Sequence, residues 1–249
     1  MKLKLVVALL GLTACVPAFA MDFVQNSSTQ STVNVIANGE ASLQTIVNNL
    51  FGSGINVNTD QSSAAFFSSA TPSATSTIPT LVAEFTNNAS TQAFGIWFGT
   101  DTVNKVEYNL LLGGAGVSDA VGMTIVGNTL TVFGPAASCG TKFNCDSWTD
   151  SRINSTSFGF YFQPSPDSPI YYSLDQMNPG DRKDRFIGFQ SGTSTNWLFA
   201  YEDGDDWDYN DMAVKVESIT AAIPEPETYA LMLAGLGAVG FMSRRRKKA

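Results

Sequence analysis

Punctuation is the feature that most limits what this chain can become. Runs of about four to eight apolar, aromatic or β-branched residues recur along it, and clusters of Gly, Pro, Asn, Asp and Ser separate them. Such runs are long enough for strands and too short for most helices. The candidates include residues 32–36, 55–58, 80–85, 93–98, 105–112, 123–126, 129–133, 158–163, 170–174, 186–190, 197–201 and 212–217. Gly127 and Asn128 join two of them as a two-residue hairpin turn. Residues 70–79, rich in Ser, Thr, Ala and Pro, read as a surface loop. One stretch has a different period: Leu43, Ile46, Val47, Leu50 and Phe51 recur at steps of three and four, with Ser42 placed to cap a helix and Gly52-Ser53-Gly54 to end it. The expected fold is therefore all-β, a β-sandwich of jelly-roll-like form with one short helix.

The stretch at 197–217, WLFAYEDGDDWDYNDMAVKVE, carries the densest chemistry. In its closing run Met212, Val214 and Val216 fall on one face, and Ala213, Lys215 and Glu217 on the other. Ahead of that strand Glu202, Asp203, Asp205, Asp206, Asp208, Asn210 and Asp211 crowd into one loop, where carboxylates repel unless water, salt or a cation screens them. Asp206, Asp208 and Asn210 form D-x-D-x-N, a spacing that opens many calcium loops. The expected ligands are Glu202, Asp203, Asp206, Asp208, Asn210 and Asp211, and the expected ion is Ca²⁺, which takes several oxygen ligands from short loops. An EF-hand does not fit. Asp211 stands where the turn glycine belongs, the flanks are strands, and a strand would carry Glu217 away from the loop. The competing reading is a solvated acidic hairpin whose Asp and Asn side chains make local turn hydrogen bonds.

Charge narrows the partners. Of 14 basic residues, seven lie in the two ends, with two of the 22 acidic ones, which leaves about −13 on the middle. Nucleic acid needs a basic face, so it is excluded; cations or neutral sugars suit this body better. The chain has no histidine, which removes Ser-His-Asp and Cys-His catalysis and His-containing zinc sites. Cys139 and Cys145 enclose five residues; in an oxidising compartment the default is a disulfide, stabilising by roughly 2 kcal/mol in the chain-entropy model.

Both ends read as addresses. Residues 1–20 have a basic start at Lys2 and Lys4, an apolar centre and an A-x-A site at Ala18-Phe19-Ala20, the pattern of a cleaved secretory signal peptide. Leu12-Thr13-Ala14-Cys15 competes as a lipoprotein box; either way the chain leaves the cytoplasm. Residues 21–222 would then be the exported β-rich body, with 21–150 and 151–222 as candidate sub-regions, and 223–249 the tail. The tail holds Pro224-Glu225-Pro226, an uncharged apolar run at 229–242, and Arg244, Arg245, Arg246, Lys247 and Lys248. At 1.5 Å per residue the run spans about 21 Å, so reaching across a ~30 Å hydrocarbon core as a transmembrane helix takes its interfacial Tyr229 and a snorkelling Arg244.

These three parts in this order closely resemble the PEP-CTERM sorting signal of Gram-negative exported proteins. The resemblance implies a transient hold at the inner membrane, processing by exosortase near Pro224-Glu225-Pro226, and passage to the cell surface or extracellular matrix, a biofilm setting. The 197–217 stretch, with 158–178 before it, also resembles a β-rich domain of unknown function in exported bacterial proteins. That second resemblance implies no assigned chemistry.

The leading expectation is a non-catalytic surface or matrix protein stabilised by calcium. The alternative is a carbohydrate-binding module for extracellular polysaccharide, with Trp97, Trp148, Trp197 and Trp207 as candidate platforms. A glycoside hydrolase with a carboxylate pair ranks below both, because the acidic loop looks too exposed to hold one raised and one ordinary pKa.

Overall fold

The apolar runs become strands, and the strands pair across long separations in sequence. The computed structural model describes residues 26, 29–35, 39–70, 78–83, 90–99, 103–113, 118–134, 138–139, 142–143, 147–153, 155–178, 180 and 184–222. In chain order its elements are helix α1 (Leu43–Phe51), β1 (Phe67–Ser69), β2 (Ile78–Ala83), β3 (Ala93–Gly99), β4 (Lys105–Leu112), β5 (Gly122–Val126), β6 (Thr129–Phe133), β7 (Ser138–Cys139) and β8 (Lys142–Phe143). Then come β9 (Ser147–Asp150), β10 (Ser157–Gln163), β11 (Tyr171–Tyr172), a 3₁₀ turn (Asp175–Met177), β12 (Phe186–Gln190), β13 (Trp197–Tyr201), β14 (Met212–Glu217) and β15 (Ile219–Ala221). The protein is all-β in class, as its punctuation predicts.

The largest sheet has the order β15-β1-β10-β3-β4, with β11 also on β10. A second runs β12-β13-β14-β2, a third β5-β6-β9, and β7 pairs β8. Every pairing is antiparallel. Strands from either side of residue 150 interleave, since β10 lies between β1 and β3, and β14 lies beside β2. One unit spans Phe23–Ile223.

The first two sheets face each other through rings, the sandwich arrangement. Phe160 meets Phe199 at 4.7 Å between centroids, Phe67 meets Trp197 at 5.1 Å, and Phe162 meets Tyr201 at 5.0 Å. Met123, Ile125, Leu130 and Val132 of the third sheet join the same core. Both large sheets are also covered on their outer faces. On the largest sheet Trp97, Tyr161 and Tyr172 pack with Leu174 and Met177. That crowding explains two glycines: a Cβ on Gly95 would collide with the Tyr161 ring, and one on Gly159 with the Trp97 indole.

The second sheet is covered by α1. Ser42 Oγ accepts from Thr45 N at 3.3 Å, and Gly52, at φ +80°, closes the other end by donating its N–H to Asn48 O at 2.9 Å. Leu43, Ile46 and Val47 are buried against Ile187, Phe189, Leu198 and Ala200. Strand β13 therefore buries alternate residues in two different cores, and all five are buried. Burial on both faces removes the polar alternation that a half-wet strand shows.

Four expectations need correction. Strand β2 begins at Ile78, inside the loop expected at 70–79. Residues 55–58 lead into a turn at 57–59, not a strand, because Asn56 captures the chain locally: its Oδ1 accepts from Asn58 N and its backbone O from Asp60 N, both at 2.9 Å. Residues 32–35 of the 32–36 candidate join no ladder. The N–H groups here go elsewhere, Ser31 N to Gln61 Oε1, Val33 N to Asn58 Oδ1 and Asn34 N to Trp207 O, each at 2.8 Å. The 170–174 candidate shrinks to Tyr171–Tyr172 as the chain winds into the 3₁₀ turn. Cys145, the signal sequence and the 229–242 run lie outside the described residues, as do the side chain of Cys139 and therefore the disulfide. Among the described residues no helix is long and apolar enough to cross a membrane.

Candidate functional site

The loop between β13 and β14 is where the two-residue period breaks. Pairing runs from Trp197↔Val216 to Tyr201↔Met212, which leaves residues 202–211 as the connection. Trp207 and Tyr209 take left-handed backbone, at φ 60° and 54°, a conformation costing roughly 1 kcal/mol or more for residues with a Cβ. Burial of Tyr209 offsets that cost. Its ring is 1% exposed in the α1 core, and its hydroxyl donates to Asp184 O at 2.6 Å. The backbone strain is thus tied to placing Asp206 and Asp208 around a common point.

Glu202, Asp206, Asp208 and Asp211 each offer a carboxylate oxygen there, all within 4.8 Å of one another. Asp206 is exposed and the other three are buried. Loop backbone groups supply part of the compensation. Gly204 N donates to Glu202 Oε1 at 2.7 Å, Asp203 N to Asp211 Oδ2 at 2.7 Å, and Asn210 N to Asp208 Oδ1 at 3.2 Å. Burial raises the pKa of Glu202, and the neighbouring Asp206 charge raises it further. Burial also raises Asp211, helped by the Asp203, Glu202 and Asp206 charges. Asp208 rises by burial as well, with Asp206 and Glu40 adding to it. The protein has gathered anions where being an anion is costly.

The other two expected ligands are Asn210 and Asp203. Asn210 is buried beside the group: its side chain bonds to Asp208, and its Nδ2 also donates to Ala41 O at 3.3 Å. Asp203 contributes its backbone N–H, while its carboxylate lies outside the set of four. Glu217 is carried off on β14 and accepts from Lys215, so the geometry that rules out an EF-hand is present.

Arg185, read from sequence as part of a mixed-charge run, turns out to be central. Its guanidinium donates to Gly204 O, approaches Glu202 Oε1 at 4.0 Å and Asp205 Oδ1 at 3.4 Å, and lies over the Trp207 ring at 4.5 Å. Neighbouring Asp184 is pushed up to about 7, mainly by burial. An arginine closing that run, just before a buried strand, was the available signal. What it touches is 14 or more residues away and could not be read locally.

The tryptophans divide. Trp97 and Trp197 are at most 1% exposed and belong to cores. Trp148 is partly buried against Tyr108, at 5.3 Å between rings. Trp207 is half-buried beside the acidic loop.

The family model for the PEP-CTERM protein-sorting motif matches residues 222–247. This chain carries a PEP-CTERM sorting motif. It is accordingly an exported protein targeted to exosortase, anchored at the membrane in transit. The match includes Pro224, Glu225 and Pro226, whose geometry lies outside the described residues. No curated protein and no solved structure matches this chain, and the resemblance of its 197–217 stretch to a domain of unknown function has no counterpart among the matches.

Proposed function

We propose that this chain is a non-catalytic protein of the cell surface or extracellular matrix whose folded body is stabilised by Ca²⁺ at the β13–β14 loop. In this reading residues 1–20 are removed on export, Cys139 and Cys145 close a disulfide outside the cytoplasm, and exosortase acts on the tail.

The observation that carries the cation is the convergence of Glu202, Asp206, Asp208 and Asp211 within 4.8 Å. Oxygens on opposite sides of a calcium ion, each about 2.3–2.6 Å from it, are about 4.6–5.2 Å apart. Four carboxylates supply at least four oxygens, and bidentate binding or water completes the usual six to eight. Burial, with neighbouring charges adding to it, raises the pKa of Glu202, Asp208 and Asp211, and either protons or a cation relieves that cost. A hard cation suits an all-oxygen set, whereas zinc and copper favour the nitrogen and sulfur ligands this loop lacks. Calcium here acts on stability by mass action, because the unfolded chain does not hold the four groups together.

The test is a calcium titration of the melting temperature after chelator treatment, with magnesium as control. Calcium should raise the melting temperature in a saturable way and magnesium much less, since Mg²⁺ demands a tighter octahedron and keeps its waters. A melting temperature indifferent to calcium removes the cation from this account and leaves the exported, sorted body.

A further inference from the structure

A groove of about 350 Å³ opens beside the acidic loop, lined by Ser31, Thr32, Asn34, Asp184, Trp207 and Tyr209. Three segments far apart in sequence meet there. Asn34 N donates to Trp207 O at 2.8 Å, and its side chain donates to Asp206 O. Ser31 Oγ donates to Asp184 Oδ2 at 3.1 Å, and the Tyr209 hydroxyl donates to Asp184 O. Val33 points inward and is 5% exposed, while Thr32 and Asn34 on either side are exposed. The groove is thus held open by bonds already made, and a ligand need not order it.

Its chemistry is mixed in a particular way. Hydroxyls and an amide offer donors and acceptors together, and a half-exposed indole offers apolar surface. Asp184 in the lining, with Asp205 and Asp206 nearby, opposes an anionic ligand. The Arg185 guanidinium lies over one face of the Trp207 ring, and its charge there opposes a cationic ligand. What fits is a molecule with an apolar face, a fringe of hydroxyls and no charge.

We propose that this groove binds a neutral sugar unit of a polysaccharide, with Trp207 as the apolar surface and Ser31, Thr32 and Asn34 as the hydrogen-bonding rim. The proposal extends the non-catalytic reading and does not require the cation. A single unit in an open groove binds weakly, and surface density supplies avidity.

The purified full chain is titrated, by calorimetry and tryptophan fluorescence, with gluco-, galacto-, manno- and xylo-configured neutral oligosaccharides and with oligogalacturonate as the anionic control. At least one neutral oligomer should bind, with a dissociation constant of about 0.1–1 mM. Trp207→Ala should weaken it roughly tenfold or more. Because that change also touches the loop, Thr32→Trp serves as a second variant. It fills the groove from an exposed position and should abolish binding at an unchanged melting temperature. Binding by oligogalacturonate alone, binding by no oligomer, or unaltered binding by folded Thr32→Trp overturns the proposal. Each titration is repeated with calcium and with chelator. A calcium-raised melting temperature without sugar binding sinks the groove alone, and sugar binding in a chain indifferent to calcium sinks the cation alone.

Discussion

The two sides of strand β13 solve opposite problems with the same backbone. One side sends Trp197, Phe199 and Tyr201 into a ring-packed core between two sheets, where burial of apolar area is the driving force. The other side sends Leu198 and Ala200 toward α1, and the strand then runs into a loop where three buried carboxyls and one exposed one gather. The first region, held by burial of rings, is expected to be indifferent to protons and divalent cations. The second holds carboxyls that burial pushes toward protonation, and in the proposed reading a divalent cation acts there too. One strand thus joins a component indifferent to its surroundings to one that reports on them.

The largest expected effect lies on the indifferent side. Phe160 is fully buried, with rings of Phe67, Phe94, Phe158 and Phe199 within 5.5 Å. Phe160→Ala should cost about 3–5 kcal/mol in urea unfolding, by the same amount with calcium or with chelator. A cost that changed with calcium would mean that the two regions are not separable.

Next comes the loop. At a calcium concentration 100 times the dissociation constant the ion should stabilise by about 2.7 kcal/mol. Asp208→Asn should erase most of that increment, yet in chelator it should leave the melting temperature level or higher, because it removes one member of a repelling set. A loss of stability in both conditions would make Asp208 an ordinary structural residue.

The pH dependence is smaller and has a definite sign. Burial lifts Asp184 from an ordinary 3.8 to about 7, and Asp175 to about 6. Each binds its proton more tightly folded than unfolded, so its contribution is complete below about pH 4 and fades as pH rises through 6 and 7. The melting temperature measured in chelator should therefore fall between pH 5 and 8, and Asp184→Asn should flatten the fall. Glu202 and Asp211 shift in the same direction, so calcium should flatten it further by taking the place of their protons. Smallest is the helix cap: Ser42→Ala should cost about 1 kcal/mol, detected as lower helical stability without any change in calcium response.

Local rules made much of this legible. The turn at Gly127-Asn128, the α1 caps and the alternation of β14 all follow from interactions within a few residues, and the structure places them at Val126↔Thr129, Leu43–Phe51 and Met212–Glu217. Strands β1, β9 and β15 escaped notice because FSS, SWTD and ITA are too short and too polar to show a period. They are strands because a neighbour's ladder recruits them. The five buried residues of β13 did carry a signal, since an unbroken apolar run means cover on both faces, but nothing in the sequence says what covers it. At the site the carboxylates were legible from spacing. Arg185, Asp184 and the 31–34 segment were not, because their partners lie tens to more than a hundred residues away.

One small clamp lies at the start of the sorting motif. Ala222 is 6% exposed and its N–H donates to Phe66 O at 2.8 Å, just past the strand that closes the largest sheet. Pro224 follows two residues later, and two residues reach at most about 7 Å. The address label is stitched to the parcel with almost no string. Cleavage at or beyond Pro224 would leave the hem at 219–222, with its bond to Phe66, in the body that remains.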